Sequence, residues 1–286
     1  MALDYRIGAL WIGGDLSFLE QLCLKSFVDV GHEVILYTYE GVTNAPEGVK
    51  QVDASDILPQ TGFLRHERTG SPALHSDLFR YHMLAKQDHM IWADTDAYCV
   101  KPFTTETGHY YAWESDHGLN GGVLGLPQDS ATLAALLDFT REEFPVPEWY
   151  DEATKAKIRR SHETGQPMHV SEMKWGVWGP HALTHFLKKT GEVEHALPMH
   201  VLYPFAYGDR QLMLRPGLDA SQFVKPDTTS IHFYGRRMRA RVLEREPGGI
   251  PRPQTVIGKL LKKHKIDPKL APIKPRGTVD LTDGDE

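Results

Sequence analysis

Two aspartates, Asp94 and Asp96, are the residues of this 286-residue chain whose type and spacing point most directly to chemistry. They follow residues 89–93, a short apolar run of strand length. Side chains at positions i and i+2 of a strand project from the same face, so the two carboxylates are expected to converge where the strand ends. Two close carboxylates repel each other unless a proton or a cation lies between them. A hard divalent cation with oxygen ligands is the simplest resolution.

A second pair of charged residues, Asp77 and Arg80, lies on the helix predicted just before that strand. Ser71 is the expected N-cap and Pro72 the expected first helical residue. Asp77 and Arg80 are three residues apart and therefore point the same way. Because the helix is largely apolar, this carboxylate and guanidinium are expected either to pair with each other or to face a polar ligand.

Two later segments carry further candidate ligand-binding residues. Asn120 opens the glycine-rich apolar strand predicted over residues 121–126, where a ligand can approach the backbone closely; a plain Asn-Gly turn is the alternative. Residues 230–237 read Ser-Ile-His-Phe-Tyr-Gly-Arg-Arg. A lone histidine at a strand end, such as His232, is usually a packed residue, and the two arginines suit phosphate geometry.

The elements that must position these residues follow an α/β pattern. Strands are predicted over residues 6–12 and 33–39, with a helix from an Asp15 cap to about residue 30 between them. Such a unit implies a parallel strand pair with a right-handed crossover. The glycines of the first turn do not match the Gly-x-Gly-x-x-Gly dinucleotide fingerprint. Further strands are predicted at residues 49–52 and 110–113.

Composition places limits on class and location. The chain is 41% hydrophobic, enough for a sizeable core, and its net charge is −6. Its charge is uneven, because residues 236–276 hold 13 Lys/Arg against 3 Asp/Glu, which suggests either contact with phosphates or an anionic surface, or a solvated tail. Two distant cysteines, no signal-peptide pattern and no run of ~18 apolar residues predict a cytoplasmic protein, at most peripheral to the inner face of a membrane.

Residues 76–80 (Ser-Asp-Leu-Phe-Arg), an apolar strand and Asp94-Thr95-Asp96 together resemble the DXD-containing, sugar-nucleotide-dependent glycosyltransferases of GT-A fold. The branch joins α-1,4-galactosyltransferases, yeast-type initiating mannosyltransferases and bacterial capsular-polysaccharide transferases. The resemblance implies an α/β, GT-A-like fold, a Rossmann-like, mostly parallel sheet flanked by helices. It covers roughly residues 5–130 well and residues 175–238 in patches, and the transferase domain is expected at residues 1–246. From their composition, residues 247–286 are expected to be a basic linker, a short helix near 255–264 and a tail that is disordered after Pro268.

The resemblance also implies roles for individual residues. In that family the Asp-x-x-Arg pair holds the donor sugar, the DXD motif serves ribose and metal, and a His-x-x-Gly-x-x-Lys segment completes the metal shell and contacts the diphosphate. By this resemblance the metal, Mn²⁺ or Mg²⁺, is held by Asp94, Asp96 and His232. The implied donor contacts are Trp11, Ile12, Tyr39, Asp77, Arg80, Asp94, Thr95, Asn120, Gly121, Gly235, Arg236 and Arg237.

Three details qualify these roles. Asn120 is the candidate next to the anomeric centre and Asp116 a weaker one. Met238 stands where the family has lysine, so the neighbouring arginines would have to supply the positive charge. Gly179-Pro180, before a predicted helix over residues 181–190, matches a Gly-Pro that lies near the active site in the family.

The expected function is metal-dependent transfer of a hexose from a nucleotide-diphosphate sugar, with UDP the expected nucleotide and retention the expected outcome. The acceptor is a glycan, a lipid-linked or a small molecule, as in polysaccharide biosynthesis, and no nucleic acid is expected. A haloacid-dehalogenase-type phosphotransferase is one alternative, with Asp94 as nucleophile and Asp96 as general acid. A sugar-nucleotide-binding protein without turnover is the other.

Overall fold

The chain folds into a mixed α/β structure, seen in a computed structural model that describes residues 4–60 and 62–274. The strands are β1 (Arg6–Trp11), β2 (Val34–Thr38), β3 (Val49–Asp53), β4 (Met90–Ala93), β5 (Ala97–Cys99), β6 (Tyr110–Trp113), β7 (Leu119–Gly125) and β8 (Ser230–His232). The helices are α1 (Phe18–Asp29), α2 (Ala73–Lys86), α3 (Ala131–Phe139), α4 (Glu152–Glu163), α5 (Pro180–Thr190), α6 (Met199–Leu202), α7 (Gly235–Arg245) and α8 (Val256–Lys263).

Six strands form the central sheet, in the order β3-β2-β1-β4-β7-β6. β1 runs parallel to both β2 and β4, and β2 runs parallel to β3. β7 is antiparallel to its neighbours β4 and β6. The predicted α/β class, with a mostly parallel sheet flanked by helices, is confirmed.

Helices cover both faces of this sheet. On one face, side chains of α2, α3 and α5 such as Phe79, Leu133 and Leu183 share a buried cluster with Trp92 of β4. On the other face, Phe27 of α1 packs with residues of β1, β2 and β7. β4 lies in the middle of the sheet, so the aspartates that follow it are held by a fully buried strand.

A separate two-stranded sheet brings the distant histidine segment to the aspartates. β5 begins at Ala97, directly after Asp96, and pairs antiparallel with β8. The register places Ala97 opposite His232. The hydrogen bond from Phe233 N to Asp96 O, at 2.9 Å, fixes the same alignment of the two segments.

Two helices begin later than the sequence predicts. The N-cap of α1 is Ser17, which forms a capping box with Glu20. The predicted Asp15 cap is wrong, because the Asp15 carboxylate instead accepts hydrogen bonds from Thr43 N at 2.8 Å and Thr43 Oγ1 at 2.9 Å. α2 starts one residue after the expected position, with Pro72 at the N-cap. Ser71 belongs to the preceding turn, since its carbonyl accepts from His66 N at 2.9 Å.

The C-terminal segment is packed for much of its length. α8 lies within the predicted helix, and its apolar side chains join a core that includes Phe18 and Phe233. Ala271 and Ile273 are buried, and the carbonyl of Ala271 accepts from Phe18 N at 2.7 Å. The predicted disorder after Pro268 is therefore wrong up to Lys274, while residues 275–286 lie outside the described residues. The domain boundary at residue 246 stays a prediction.

No helix among the described residues is long and apolar enough to cross a membrane.

Candidate metal centre

Asp94, Asp96 and His232 come together at the carboxyl end of β4, where each offers one ligand atom and these atoms lie within 4.8 Å of one another. The shortest ion-pair distance, 3.4 Å, joins His232 Nε2 and Asp96 Oδ1. Carboxylate oxygens and an imidazole nitrogen are ligands that manganese accepts. The three residues predicted as metal ligands are thus neighbours in space.

The backbone holds this cluster from three sides. Asp94 N donates to Gly122 O of β7 at 2.7 Å, and Ala97 N donates back to Asp94 O at 2.9 Å, which closes a tight turn over the motif. The N–H of Gly235, the first residue of α7, donates to Asp96 Oδ2 at 2.6 Å. Hydrogen bonds from backbone to carboxylate of this kind keep the side chain in one orientation.

Several buried polar atoms of the cluster lack a hydrogen-bond partner among the described residues: Asp96 Oδ1 and both ring nitrogens of His232. Buried polar atoms nearly always have a hydrogen-bond partner, and a bound ion is one of the recognised reasons for an exception. Ligands bonded to one Mg²⁺ or Mn²⁺ at roughly 2.1 Å lie about 3 to 4 Å apart. The separations seen here are close to that range, so the residues present fit a divalent cation.

Asp94 is the more tightly held of the two carboxylates. Its Oδ1 accepts from Trp92 Nε1 at 2.7 Å and from Arg80 Nη2 at 3.3 Å. Burial raises the pKa of Asp94; Arg80 opposes this effect and the neighbouring Asp96 adds to it. A cation between the two carboxylates would remove that repulsion.

Arg80 links the motif to the helix before it. Its Nη2 lies 3.2 Å from Asp77 Oδ1 and 3.3 Å from Asp94 Oδ1, and its Nη1 donates to the carbonyl of Gly121. The guanidinium also stacks 4.9 Å from the ring centroid of Trp92. Asp77 and Arg80 are each only 6% exposed, and burial raises the pKa of Asp77 to about 6. The sequence left two alternatives for Asp77 and Arg80, an ion pair with each other or contact with a polar ligand. In the structure they form the ion pair.

Glycines surround the cluster because side chains there would collide with it. A Cβ on Gly122 would lie 3.1 Å from both Asn120 Oδ1 and His232 Nε2, and 3.3 Å from Asp94 Oδ2. A Cβ on Gly121 would lie 2.7 Å from Arg80 Nη1. The predicted Gly-Pro also lies at the site, since a Cβ on Gly179 would come within 2.7 Å of an Asp77 oxygen.

Asn120 lies beside the cluster, and its Oδ1 accepts from Gly122 N at 2.7 Å. The three side-chain atoms around the Gly122 position therefore belong to Asn120, His232 and Asp94. Asp116 is placed differently: it is exposed in the turn between β6 and β7, which the Glu114 N to Gly118 O bond closes at 2.9 Å. Asn120 thus joins the predicted site, whereas Asp116 lies outside the cluster.

The residues predicted along the nucleotide base lie at the carboxyl ends of β1 and β2. Trp11 is half-buried and donates from Nε1 to Gly14 O at 2.6 Å, and Ile12 packs partly against the core. The Tyr39 hydroxyl donates to Leu58 O at 2.9 Å and lies 2.8 Å from His75 Nε2. Thr95 is half-buried between the two aspartates. Contact of these residues with a base or ribose stays a prediction.

The arginines after Gly235 contact aromatic side chains of neighbouring segments. The Arg236 guanidinium lies 5.9 Å from the ring centroid of Trp175, a tryptophan that is 40% exposed. Arg237 donates from Nε to the Tyr207 hydroxyl at 3.1 Å. Both arginines are half-buried, and their predicted contact with a diphosphate is untested.

Sequence reasoning missed three aromatic residues of the site. Trp92 holds Asp94, and its position two residues before Asp94 in one strand was the available signal. The rings of Tyr203 and Tyr234 lie 5.6 Å and 4.6 Å from that of His232. The sequence gives no indication of a role for Tyr203, because no recognisable motif surrounds it. Tyr234 adopts a left-handed conformation, φ 53°, which sequence alone does not reveal for a tyrosine.

No protein-family model matches the chain and no curated protein does. Among solved structures, the PaToxG glycosyltransferase is similar at 15% identity and a TM-score of 0.42, over 67% of this chain and 71% of that chain. A transferase mutant with cysteine-to-serine replacements is similar at 14% identity and a TM-score of 0.32, over 66% of this chain and 92% of that chain. Likeness at this level says nothing about activity.

Proposed function

We propose that this protein is a metal-dependent glycosyltransferase that moves a hexose from a nucleotide-diphosphate sugar, with UDP as the expected nucleotide, to a glycan, lipid-linked or small-molecule acceptor. The observation that carries the proposal is the cluster of Asp94, Asp96 and His232, whose buried ligand atoms include several without partners. Such a cluster, at the carboxyl edge of a largely parallel sheet, is placed where α/β proteins bind phosphorylated ligands.

Asp94, Asp96 and His232 would hold Mn²⁺ or Mg²⁺. When bound, a divalent cation neutralises the charge that develops on a departing diphosphate. The side chains of Arg236 and Arg237 lie at the start of α7, one and two residues after the glycine that holds Asp96. Their guanidinium groups would add positive charge on the side of the leaving group.

The donor sugar would be oriented by the paired Asp77 and Arg80. Arg80 keeps Asp94 in place through its Nη2, and its own position is fixed by Gly121 and Trp92. Asn120 lies beside the same ligand atoms and would line the reacting face of the sugar. Rigidly held side chains of this kind keep a substrate in its reacting geometry, so the site need not rearrange during the reaction. Retention of configuration is the proposed outcome, and no protein nucleophile is assigned.

The test is donor turnover with and without metal. Purified protein is incubated with a panel of UDP-sugars, with Mn²⁺ or with EDTA, and release of UDP is measured. The proposal predicts metal-dependent UDP release that Asp96→Ala abolishes, whereas Asp116→Ala, at the exposed turn, retains it. Unimpaired turnover by Asp96→Ala refutes the proposal.

Two further measurements separate the two alternatives from this proposal. A phosphotransferase with Asp94 as nucleophile would form an aspartyl-phosphate. Beryllofluoride would bind Asp94 as a mimic of this intermediate, and mass spectrometry would detect phosphate trapped on Asp94. A binding protein without turnover would show UDP-sugar affinity in calorimetry and no UDP release with any acceptor tested.

A further inference from the structure

A buried ion pair lies beside the metal centre and contributes no ligand to it. Arg239 of α7 donates from Nη1 to Oε1 of Glu20, near the start of α1. Glu20 is fully buried, and the side chain of Arg239 is 19% exposed. A buried ion pair is often no more stabilising than apolar residues of similar size. The location of this pair is therefore more informative than its contribution to stability.

The geometry of α7 directs Arg239 toward Asp96. Gly235 and Arg239 are four residues apart and therefore lie on one face of the helix. Long helical side chains lean toward the N-terminus of their helix, which brings the Arg239 guanidinium to Gly235. A Cβ on Gly235 would lie 3.0 Å from Asp96 Oδ2 and 3.1 Å from Arg239 Nη1. The carboxylate oxygen and the guanidinium nitrogen are therefore at most about 6 Å apart.

Arg239 nevertheless bonds to Glu20 and not to Asp96. Within residues 4–60 and 62–274, Asp96 Oδ2 accepts from Gly235 N, and Asp96 Oδ1 has no hydrogen-bond partner. The ion-pair partner of Asp96 in the same part of the chain is His232, at 3.4 Å. A guanidinium this close to a carboxylate would be expected to pair with it, since the two groups fit each other in shape and charge. Glu20 is the competing carboxylate that holds Arg239 instead.

Glu20 is fixed by the start of α1. Its Oε2 accepts from Ser17 N at 2.8 Å and from the Ser17 hydroxyl, and this capping box leaves the carboxylate little freedom. Cys23, three residues further along α1, is close to the same charges. Burial raises the pKa of its thiol most, the Asp96 and Glu20 charges raise it further, and Arg239 lowers it. All three charged groups therefore act on one buried region.

We infer that Glu20 is a positioning residue that holds Arg239 away from Asp96, so that Asp96 stays available for a divalent cation. The inference rests on the metal centre of the proposed function. Without the Glu20 charge, the Arg239 guanidinium is expected to turn toward the Asp96 carboxylate and pair with it. The protein's own positive charge would then compete with Mn²⁺ for that carboxylate. Glu20 thus acts on metal binding through Arg239 and without touching the ion.

The test is an electron paramagnetic resonance titration of Mn²⁺ into the full chain. Glu20→Gln removes the charge and keeps a residue type that completes a capping box. It is expected to weaken Mn²⁺ binding about tenfold, because the metal must displace a charged hydrogen bond. Arg239→Gln removes the competitor and is expected to bind Mn²⁺ at least as tightly as the wild type. The double variant is expected to regain the wild-type affinity to within about threefold.

Glu246→Gln is the matched control for the loss of a buried, paired carboxylate. Glu246 is buried and its Oε1 lies 3.1 Å from Arg252 Nη2. It is the C-cap of α7, about 16 Å along the helix from Gly235. Glu246→Gln should therefore lower the midpoint of urea denaturation and leave Mn²⁺ affinity unchanged. A loss of Mn²⁺ affinity equal to that of Glu20→Gln would overturn the inference, since it would follow from lowered stability alone.

Rescue in the double variant separates positioning from a structural role. If Glu20 and Arg239 only stabilise the fold, the double variant will bind Mn²⁺ no better than Glu20→Gln, and the inference is overturned. Weakened binding in Arg239→Gln overturns it as well, even if Glu20→Gln fails to fold. A wild type that binds no Mn²⁺ overturns the metal centre and the inference together. A wild type that binds Mn²⁺, with Glu20→Gln unaffected, overturns the inference alone.

Discussion

The two halves of the candidate site are built in opposite ways. In the first half, Asp77, Arg80 and Asp94 form a buried chain of ion pairs at 3.2 and 3.3 Å. In the second half, Asp96 and His232 lie 3.4 Å apart and each keeps buried polar atoms without a hydrogen-bond partner among the described residues.

This difference indicates what each half does. A paired, buried ionic network fixes geometry, and breaking one member of it is costly. Unpartnered buried atoms cost free energy in the protein alone and are compensated when a ligand binds. The first half is therefore expected to contribute more to stability and the second half more to metal binding, with Asp94 contributing to both.

Replacing Asp96 by Asn should separate these two properties most strongly. The change removes one ligand charge and keeps the shape, so donor turnover should fall by about three orders of magnitude, or ~4 kcal/mol of transition-state stabilisation. The free energy of unfolding should change little, because Asp96 is not part of the paired chain. Both quantities are measured on the same preparation, by UDP release and by urea denaturation. If Asp96→Asn loses much of its stability as well as its activity, the two halves of the site do not have separate roles.

Arg80→Gln should show the reverse balance. Without its guanidinium, two buried carboxylates remain near each other with no positive charge between them. The expected cost is about 3 to 5 kcal/mol in the free energy of unfolding, read from the midpoint and slope of urea denaturation. Arg141→Gln is a suitable control, because the ion pair of Arg141 with Asp138 is exposed. A stability equal to that of the control would mean that the buried chain contributes nothing.

Gly121 and Gly122 are adjacent, and adding one methyl group at either position tests the two halves of the site separately. In Gly121→Ala the new Cβ would press on Arg80 Nη1 at 2.7 Å, whereas in Gly122→Ala it would lie 3.1 Å from His232 Nε2. Gly121→Ala should therefore lower stability by about 1 to 3 kcal/mol through overpacking. Gly122→Ala should instead weaken Mn²⁺ binding by about tenfold, measured by calorimetry. If the two variants behave alike, the boundary between the halves does not lie between these residues.

The smallest predicted effect concerns pH and Asp77. Burial raises the pKa of the Asp77 carboxyl to about 6, so the folded protein binds its proton more tightly than the unfolded chain does. This contribution to stability is complete below about pH 4 and is lost as pH rises through about 6. Between pH 4 and pH 8, Asp77→Asn should therefore lose about 2 kcal/mol less stability than the wild type, in addition to any pH-independent cost of the substitution. An identical pH dependence of the two proteins would show that Asp77 does not bind its proton more tightly in the folded state.

The sequence predicts the parts of the site that are local in the chain. Asp94 and Asp96 follow a strand, Asp77 and Arg80 share a helix face, and the β1–α1–β2 unit has the expected order, because periodicity and spacing decide all three. The pairing of β5 with β8 joins residues more than 130 positions apart and was not predicted; only the resemblance to a family motif suggested that His232 lies near the aspartates.

What the sequence could not predict depends on tertiary contacts. Asp15 is as good a cap residue as Ser17, and only the hydrogen bonds to Thr43 decide between them. The burial of Ala271 against α1 follows from packing rather than from composition, which in that segment suggested disorder.

The central claim is that Asp94, Asp96 and His232 bind one divalent cation together. The most direct measurement is an electron paramagnetic resonance titration of Mn²⁺ into the full chain, alone and with UDP, for the wild type and for His232→Gln. The account predicts one Mn²⁺ site that UDP tightens and that His232→Gln weakens by tenfold or more, since losing even a group that only supports a ligand costs about 10- to 100-fold in affinity. Equal Mn²⁺ affinity in the two proteins, with or without UDP, would contradict it.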